Sequence, residues 1–385
     1  MVLYTYAGYP LLLFVFASLQ QAFADLRFAL RGGQRRQRWS GEVPPFVSIV
    51  FSAYNEEAVI EAKMRNCGVL DYPVERLEIL VGCDGCSDRT AELARSVNLP
   101  NARIFEYSER SGKLDVLNRV MQQARGDIVV FSDANTLFDP GAVRSLLRRF
   151  SDPLVGCVCG ELRLTPLDVG QKNESFYWRY EVFLKFLESR LNLLLGANGG
   201  IYAIRRELFL PLPKHAIIDD FLIAMQVHAA GYRVVYDPEA VAYEEASHAV
   251  QDEFRRRVRI GAGNFHAIRY TARLLSPTAG GIAFSFWSHK IFRWLVPFAL
   301  PTAFLCALIL ARQPFYAVCS ELGVALLAMA LAGYHLELRK DLRSLFSIPY
   351  YFVSMNLALM LGFIRFLSGS QGSVWQRSAR GKQPL

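Results

Sequence analysis

Charge is missing from the first stretch of this chain: residues 2–24 contain no Asp, Glu, Lys or Arg. A run of that length is suited to crossing a bilayer as a helix and is poorly suited to a solvated surface. It also lacks the Lys or Arg that opens a secretory signal, whereas Arg27, Arg31, Arg35, Arg36 and Arg38 follow it. Ala22-Phe23-Ala24 has the small-residue look of a cleavage site, but the order of charges predicts a retained anchor with its C-terminal end in the cytoplasm. A disulfide framework is lacking as well. The seven cysteines include Cys83-x-x-Cys86 and Cys157-x-Cys159, and the first pair has no neighbouring His to complete a zinc set, so free thiols in a reducing compartment are expected. No GxxxxGK[ST] run occurs, which excludes an ordinary P-loop NTPase. No basic–aromatic stripe accompanies the net charge of +8, so nucleic acid is not the expected partner.

What is present is apolar at the ends and polar in the middle. Hydrophobic residues make up 52% of the 385 positions and charged ones only 20%, a balance that points to a membrane protein. We divide the chain into a transmembrane helix (1–25), a basic linker (26–45), a soluble domain (46–270), an interfacial amphipathic segment (271–294), transmembrane helices (295–367) and a basic tail (368–385). The interfacial segment mixes His289, Lys290 and Arg293 with Phe284, Phe286, Trp287 and Phe292. Candidate spans run over 295–310, 315–336 and 345–367, the middle one carrying Glu321. Three spans would place the tail outside, while Arg365, Arg377, Arg380 and Lys382 favour the inside, so one segment is re-entrant or lies flat.

Between residues 46 and 132 short apolar runs alternate with amphipathic ones. Strands are expected at 46–53, 77–83, 103–107 and 127–132, and helices at 56–67, 89–97 and 113–124. That alternation predicts an α/β domain with a parallel sheet and right-handed crossovers, whose ligands bind at the carboxyl ends of the strands. Further on, a strand at 155–164, an aromatic-rich helix at 176–192 lying at the bilayer surface, a helix at 219–230 and a strand at 232–236 are expected.

Polar residues cluster where those strands end. The first opens into Asn55 and Glu56, a turn of the kind that cradles a nucleotide. The second ends at Asp84, placed to accept from a base or ribose, with Ser87 or Asp88 capping the next helix. Ser111-Gly112-Lys113 puts a glycine and a lysine where a diphosphate can approach, and Asn118 follows in the same helix. The fourth ends in Asp133-Ala134-Asn135, a carboxylate and an amide oxygen two apart that either share a hard cation or form an Asx turn. Asp219 and Asp220 open a helix, as catalytic carboxylates or as groups favoured by the helix dipole.

Taken together, and in this order, these segments resemble the family 2 glycosyltransferases over roughly residues 46–263. The resemblance implies the GT-A fold, a Rossmann-like mixed sheet, and an inverting transfer from a nucleotide sugar, a UDP-sugar. It assigns donor contacts to Asn55, Glu56, Asp84, Lys113 and Asn118, and a metal motif holding Mg2+ or Mn2+ to Asp133 and Asn135. Asp220 becomes the catalytic base, with Asp219 orienting it or the acceptor. Gly199 and Gly200 line the sugar pocket, and Arg256 and Arg259 stand in the place of a (Q/R)xxRW motif. Two positions depart from the common pattern: Asn135 replaces an Asp, and Ile260 replaces a Trp that would stack on a sugar ring.

The first of these departures bears on the metal, the second on the product. Resemblance to the synthases of cellulose, hyaluronan and poly-N-acetylglucosamine implies a growing polysaccharide as acceptor and accessory export proteins as partners. The alternative is addition of one sugar to a lipid, and a lesser one is a membrane scaffold without activity. In each case the chain is expected in the inner or plasma membrane, with the catalytic domain in the cytoplasm.

Overall fold

The structure, a computed structural model, describes residues 1–31, 43–165, 172–213, 216–245, 250–338 and 346–369. Most of the basic linker and nearly all of the basic tail therefore lie outside the described residues.

The first helix, α1 (Tyr9–Arg31), continues from a π-helical turn at Tyr4–Gly8. The soluble domain then runs β1 (Val47–Ala53), α2 (Ile60–Gly68), β2 (Leu77–Asp84), α3 (Thr90–Ser96), β3 (Ala102–Tyr107), α4 (Lys113–Met121), β4 (Ile128–Ser132), β5 (Leu137–Phe138), α5 (Ala142–Arg148), β6 (Val155–Thr165), α6 (Lys172–Arg190), β7 (Ile201–Arg205), α7 (Asp219–Ala229) and β8 (Arg233–Glu245). It passes into α8 (Val250–Thr271), then α9 (Gly281–Ser285), α10 (Phe292–Ile309), α11 (Pro314–Leu338) and α12 (Ser347–Leu367).

Eight strands form one sheet in the order β3-β2-β1-β4-β7-β6-β8-β5. β1 to β4 are mutually parallel, as their near-continuous Val, Ile and Phe runs predict for strands covered on both faces. The parallel pattern stops at β4. β7 pairs with it antiparallel, β6 pairs antiparallel with β7, and β8 returns parallel to β6. The sheet is thus mixed. One core lies on each face, the first around Ile49, Phe51, Ile79 and Val130, the second around Val50, Leu80, Phe131 and Tyr202.

Among the described residues four helical stretches are long and apolar enough to cross a membrane: Tyr4–Arg31, Gly281–Ile309, Pro314–Leu336 and Ser347–Leu367. Of the segment read as interfacial, 271–294, the part from Gly281 is continuous with the helix that follows it, because a π-helical turn at Phe286–Ile291 joins α9 to α10. Its His289 and Arg293 pack inward against α6 and α1. His289 Nδ1 lies 2.6 Å from Glu188 Oε1, Tyr9 donates to that oxygen at 2.8 Å, and Arg293 pairs with Glu181. Helix α6 also packs on α1: Leu184 and Leu187 bury against Tyr9, Leu13 and Ala17.

Candidate active site

The carboxyl ends of β2 and β4, the start of α4 and the start of α7 converge on one place. Asp84 is 3% exposed, and its two oxygens accept from Ser111 N at 2.7 Å and Gly112 N at 2.9 Å. This clamp sets the start of α4. Gly85 follows with φ +60°, and a Cβ there would stand 2.7 Å from Arg110 N, so the turn needs glycine both for its conformation and for its closeness to the neighbouring loop.

Lys113, so placed, reaches across the site. Its ammonium lies 2.9 Å from Asp133 Oδ1 and 3.0 Å from Asp219 Oδ2. Burial pulls its pKa down, but Asp133 and Asp219 outweigh that and hold it above the ordinary lysine value. Asp220 sits beside this trio. A Cβ on Gly199 would be 3.5 Å from Asp220 Oδ2 and 3.8 Å from Asp133 Oδ2, so both carboxylates face one glycine edge. Burial, reinforced by the charge on Asp219, pushes the Asp220 carboxyl up to about 6, while Lys113 opposes the rise.

Arg259, on α8, belongs to the same field. Burial and the adjacent Arg256 lower its pKa, and Asp219 and Asp133 push it back. Gly263, one turn on, lies so near α7 that a Cβ would come within 2.9 Å of Ile217 Cβ. α8 thus packs directly behind the segment that leads into Asp219 and Asp220.

The other expected donor contacts are more dispersed. Asn55 takes φ +51°, accepts from Ser87 N at 2.9 Å and donates to Ser87 Oγ at 3.1 Å. Glu56 is buried, and its backbone N donates to Thr90 Oγ1. Asp88, not Ser87, accepts from Thr90 N at the head of α3. Asn118 uses both ends of its amide on the backbone of Leu212, a tie that fixes the approach to α7. Gly200 lines the loop behind Asp133, its carbonyl accepting from Ser132 Oγ at 3.1 Å.

Several residues of the site carry no sequence signal. Lys63 is 0% exposed, yet donates to Ser132 Oγ at 2.8 Å and to Thr136 O at 2.5 Å, bracketing Asp133 and Asn135 from behind. Phe138 covers its ammonium at 4.2 Å. Lys185 bonds Asn198 Oδ1, and Asn198 donates in turn to Gly160 O at 2.7 Å. Glu244 accepts from Asn135 Nδ2 at 3.0 Å.

Near Asp133 the chain offers two oxygen donors suited to a hard divalent cation: its own carboxylate and the amide oxygen of Asn135, whose nitrogen is turned to Glu244. Among the described residues no group of three or more His, Cys, Asp or Glu comes together to hold a metal ion, so the remaining ligands of such a cation would come from a bound diphosphate.

Residues 48–210 match the family model "Glycosyl transferase family 2". The poly-beta-1,6-N-acetyl-D-glucosamine synthase of Staphylococcus aureus is 28% identical over 240 residues, 58% of this chain and 55% of the synthase. The probable glycosyltransferase YdaM of Bacillus subtilis is 26% identical over 255 residues, 58% of this chain and 56% of that protein. The chain thus spans about half the length of these relatives. Among solved structures, mannosyltransferase PcManGT from Pyrobaculum calidifontis, in complex with GDP-Man and Mn2+, superposes with a TM-score of 0.66 at 23% identity, over 93% of this chain and 97% of that one. With its mixed eight-stranded sheet of the GT-A kind and the match across residues 48–210, the chain carries a family 2 glycosyltransferase domain.

Proposed function

We propose that this protein is a membrane-bound inverting glycosyltransferase that moves a sugar from a UDP-sugar to a growing polysaccharide, its catalytic domain in the cytoplasm. The observation that carries the reading is the pairing of Asp220, whose carboxyl is pushed up to about 6, with Asp133 across Gly199. A single base beside a cationic cradle is what an in-line displacement at an anomeric carbon requires.

In this reading the acceptor hydroxyl lies against Asp220, which takes its proton as the oxygen attacks. Asp219, paired to Lys113, keeps that ammonium beside the leaving diphosphate, and Arg259 and Arg256 approach from α8. Asp84 holds the Ser111-Gly112 turn that delivers Lys113, and Asn55, Glu56 and Asn118 shape the loops around the donor. Asp133 and Asn135 would hold Mg2+ or Mn2+, which when bound neutralises charge developing on the diphosphate. The polysaccharide acceptor follows the S. aureus relative, a poly-beta-1,6-N-acetyl-D-glucosamine synthase.

A second reading, one sugar added to a lipid, is favoured by a specific contact. α8 packs against α12, and Ile260 on α8 offers no ring for a sugar to stack on. One experiment separates the two. Detergent-purified protein is incubated with UDP- and GDP-sugars and Mn2+ or Mg2+, nucleoside diphosphate release is followed, and products are sized. Release with a UDP-sugar and a polymeric product supports the first reading. A product that partitions with lipid supports the second. No release from any donor would sink both.

A further inference from the structure

The position where the metal motif lacks a carboxylate is also where an unassigned carboxylate arrives. Asn135 Nδ2 donates to Glu244 Oε1 at 3.0 Å, and both residues are half-buried. The backbone fixes that meeting from two sides. β5 runs antiparallel to β8 with Leu137 opposite Tyr243 and Phe138 opposite Ala242, which puts Glu244 next in register toward Thr136 and Asn135. β6 pairs Leu164 with Glu244 on the other edge. A planar amide whose nitrogen is held by a carboxylate has its oxygen directed to the opposite side, ready for a cation.

We infer that Glu244 is the displaced carboxylate of the cation site: it aligns the Asn135 oxygen and supplies the negative charge that position 135 lacks. The inference rests on the metal reading of Asp133 and Asn135 given above. Glu244 is a positioning residue, acting through Asn135 and through its charge.

Mn2+ binding tests this without relying on turnover. Detergent-solubilised protein is titrated with Mn2+, free Mn2+ being counted by electron paramagnetic resonance, with and without UDP or GDP. Glu244→Gln keeps an acceptor of the same shape for Asn135 Nδ2 but removes the charge, and a role in folding alone would leave it silent. The expected result is about tenfold weaker Mn2+ binding, in the range that outer partners of metal ligands command. The exchange N135D/E244Q returns the carboxylate to position 135, with the Gln amide now donating to it, and is expected to recover affinity to within about threefold of the original, half a tenfold step on a logarithmic scale. Unchanged binding in Glu244→Gln, or no recovery in the exchange, overturns the role of Glu244. Asp133→Asn decides the underlying site separately: if it binds Mn2+ like the unaltered protein, the metal reading fails. A protein with no saturable Mn2+ site under any of these conditions overturns both.

Discussion

Asp220 gains a proton affinity in the fold that it would not have in water, and the cause is local: burial first, then the negative charge of Asp219. In the proposed role of base it works only when ionised, so the rate is expected to fall about tenfold per pH unit below about 6 and to level off above it. Initial rates of donor turnover between pH 4.5 and 8 check this, and a flat profile would remove Asp220 from the role. Stability runs the other way. The folded state holds this proton more tightly than the unfolded chain, whose carboxyl titrates near 3.8, so stability from this group is lost as pH rises through that value toward about 6. Asp220→Asn is expected to be nearly inactive and to lose this pH-dependent contribution. At this scale the sequence was informative at two strand ends: Asp84 and Asp133 stand out as polar residues after apolar runs, where the structure ends β2 and β4. Lys63 does not. It lies in an amphipathic helix, where a lysine reads as a solvated face, and only the fold shows that this turn points under the Asp133 loop. That the Lys113 ammonium reaches Asp219 at 3.0 Å was likewise not legible in two adjacent identical residues.

α8 is the element on which the site and the apolar helices meet. A Cβ on Gly362 of α12 would lie 2.7 Å from both Val258 O and Ala262 N of α8, and one on Gly261 would be 3.2 Å from Leu359 Cδ1. Glycine on both sides lets the two backbones approach closely. Gly362→Leu therefore drives α8 away from α12, at a cost of about 1–3 kcal/mol in packing. Because Arg259 and Gly263 ride on the same helix, turnover is expected to fall about a hundredfold, the scale of a misplacement near 1 Å. Donor turnover beside a thermal midpoint in detergent measures both effects, and an undiminished rate would show α8 to be independent of α12. Element by element, the first four strands were readable from the period of their apolar residues. The second half of the sheet was less so. β8 was expected to end near residue 236, because Asp237, Pro238 and Glu239 break the alternation. The structure instead takes up Pro238 in a bulge, where the register shifts between Gly160 and Glu161, and buries Asp237 against Arg148 and Arg149. β7 and α5 were missed because Ile201–Arg205 and Ala142–Arg148 are too short to show a period.

Across the whole molecule, the N-terminal end of the chain is stapled to α6 and to the α9–α10 helix by a buried polar network. Tyr9 donates to Glu188 and lies 2.9 Å from Ser285, Ser285 contacts Glu188 and the carbonyl of Leu193, and Tyr4 meets Ser288 at 2.8 Å. Leu193 leads into the segment containing Asn198, Gly199 and Gly200, so the network ends a few residues from the site. Removing one donor from a buried carboxylate costs about 1–3 kcal/mol. Tyr9→Phe is therefore expected to lower the thermal midpoint in detergent and to expose α1 to protease, and an unshifted midpoint would mean that the helices hold together without it.

The separation of those partners along the chain has its own consequence for synthesis. Tyr9 and Ser285 are 276 residues apart. At ribosomal rates the second follows the first by roughly 14 to 55 s. During that interval the first helix waits for its partners, Glu188 following Tyr9 by 179 residues and Ser285 by 276, so its hydroxyl acquires them one after the other. Nascent chains arrested before Ser285 and His289 have emerged should accordingly hold the first helix less tightly to the rest of the chain than longer ones, a difference that cross-linking from position 9 would read.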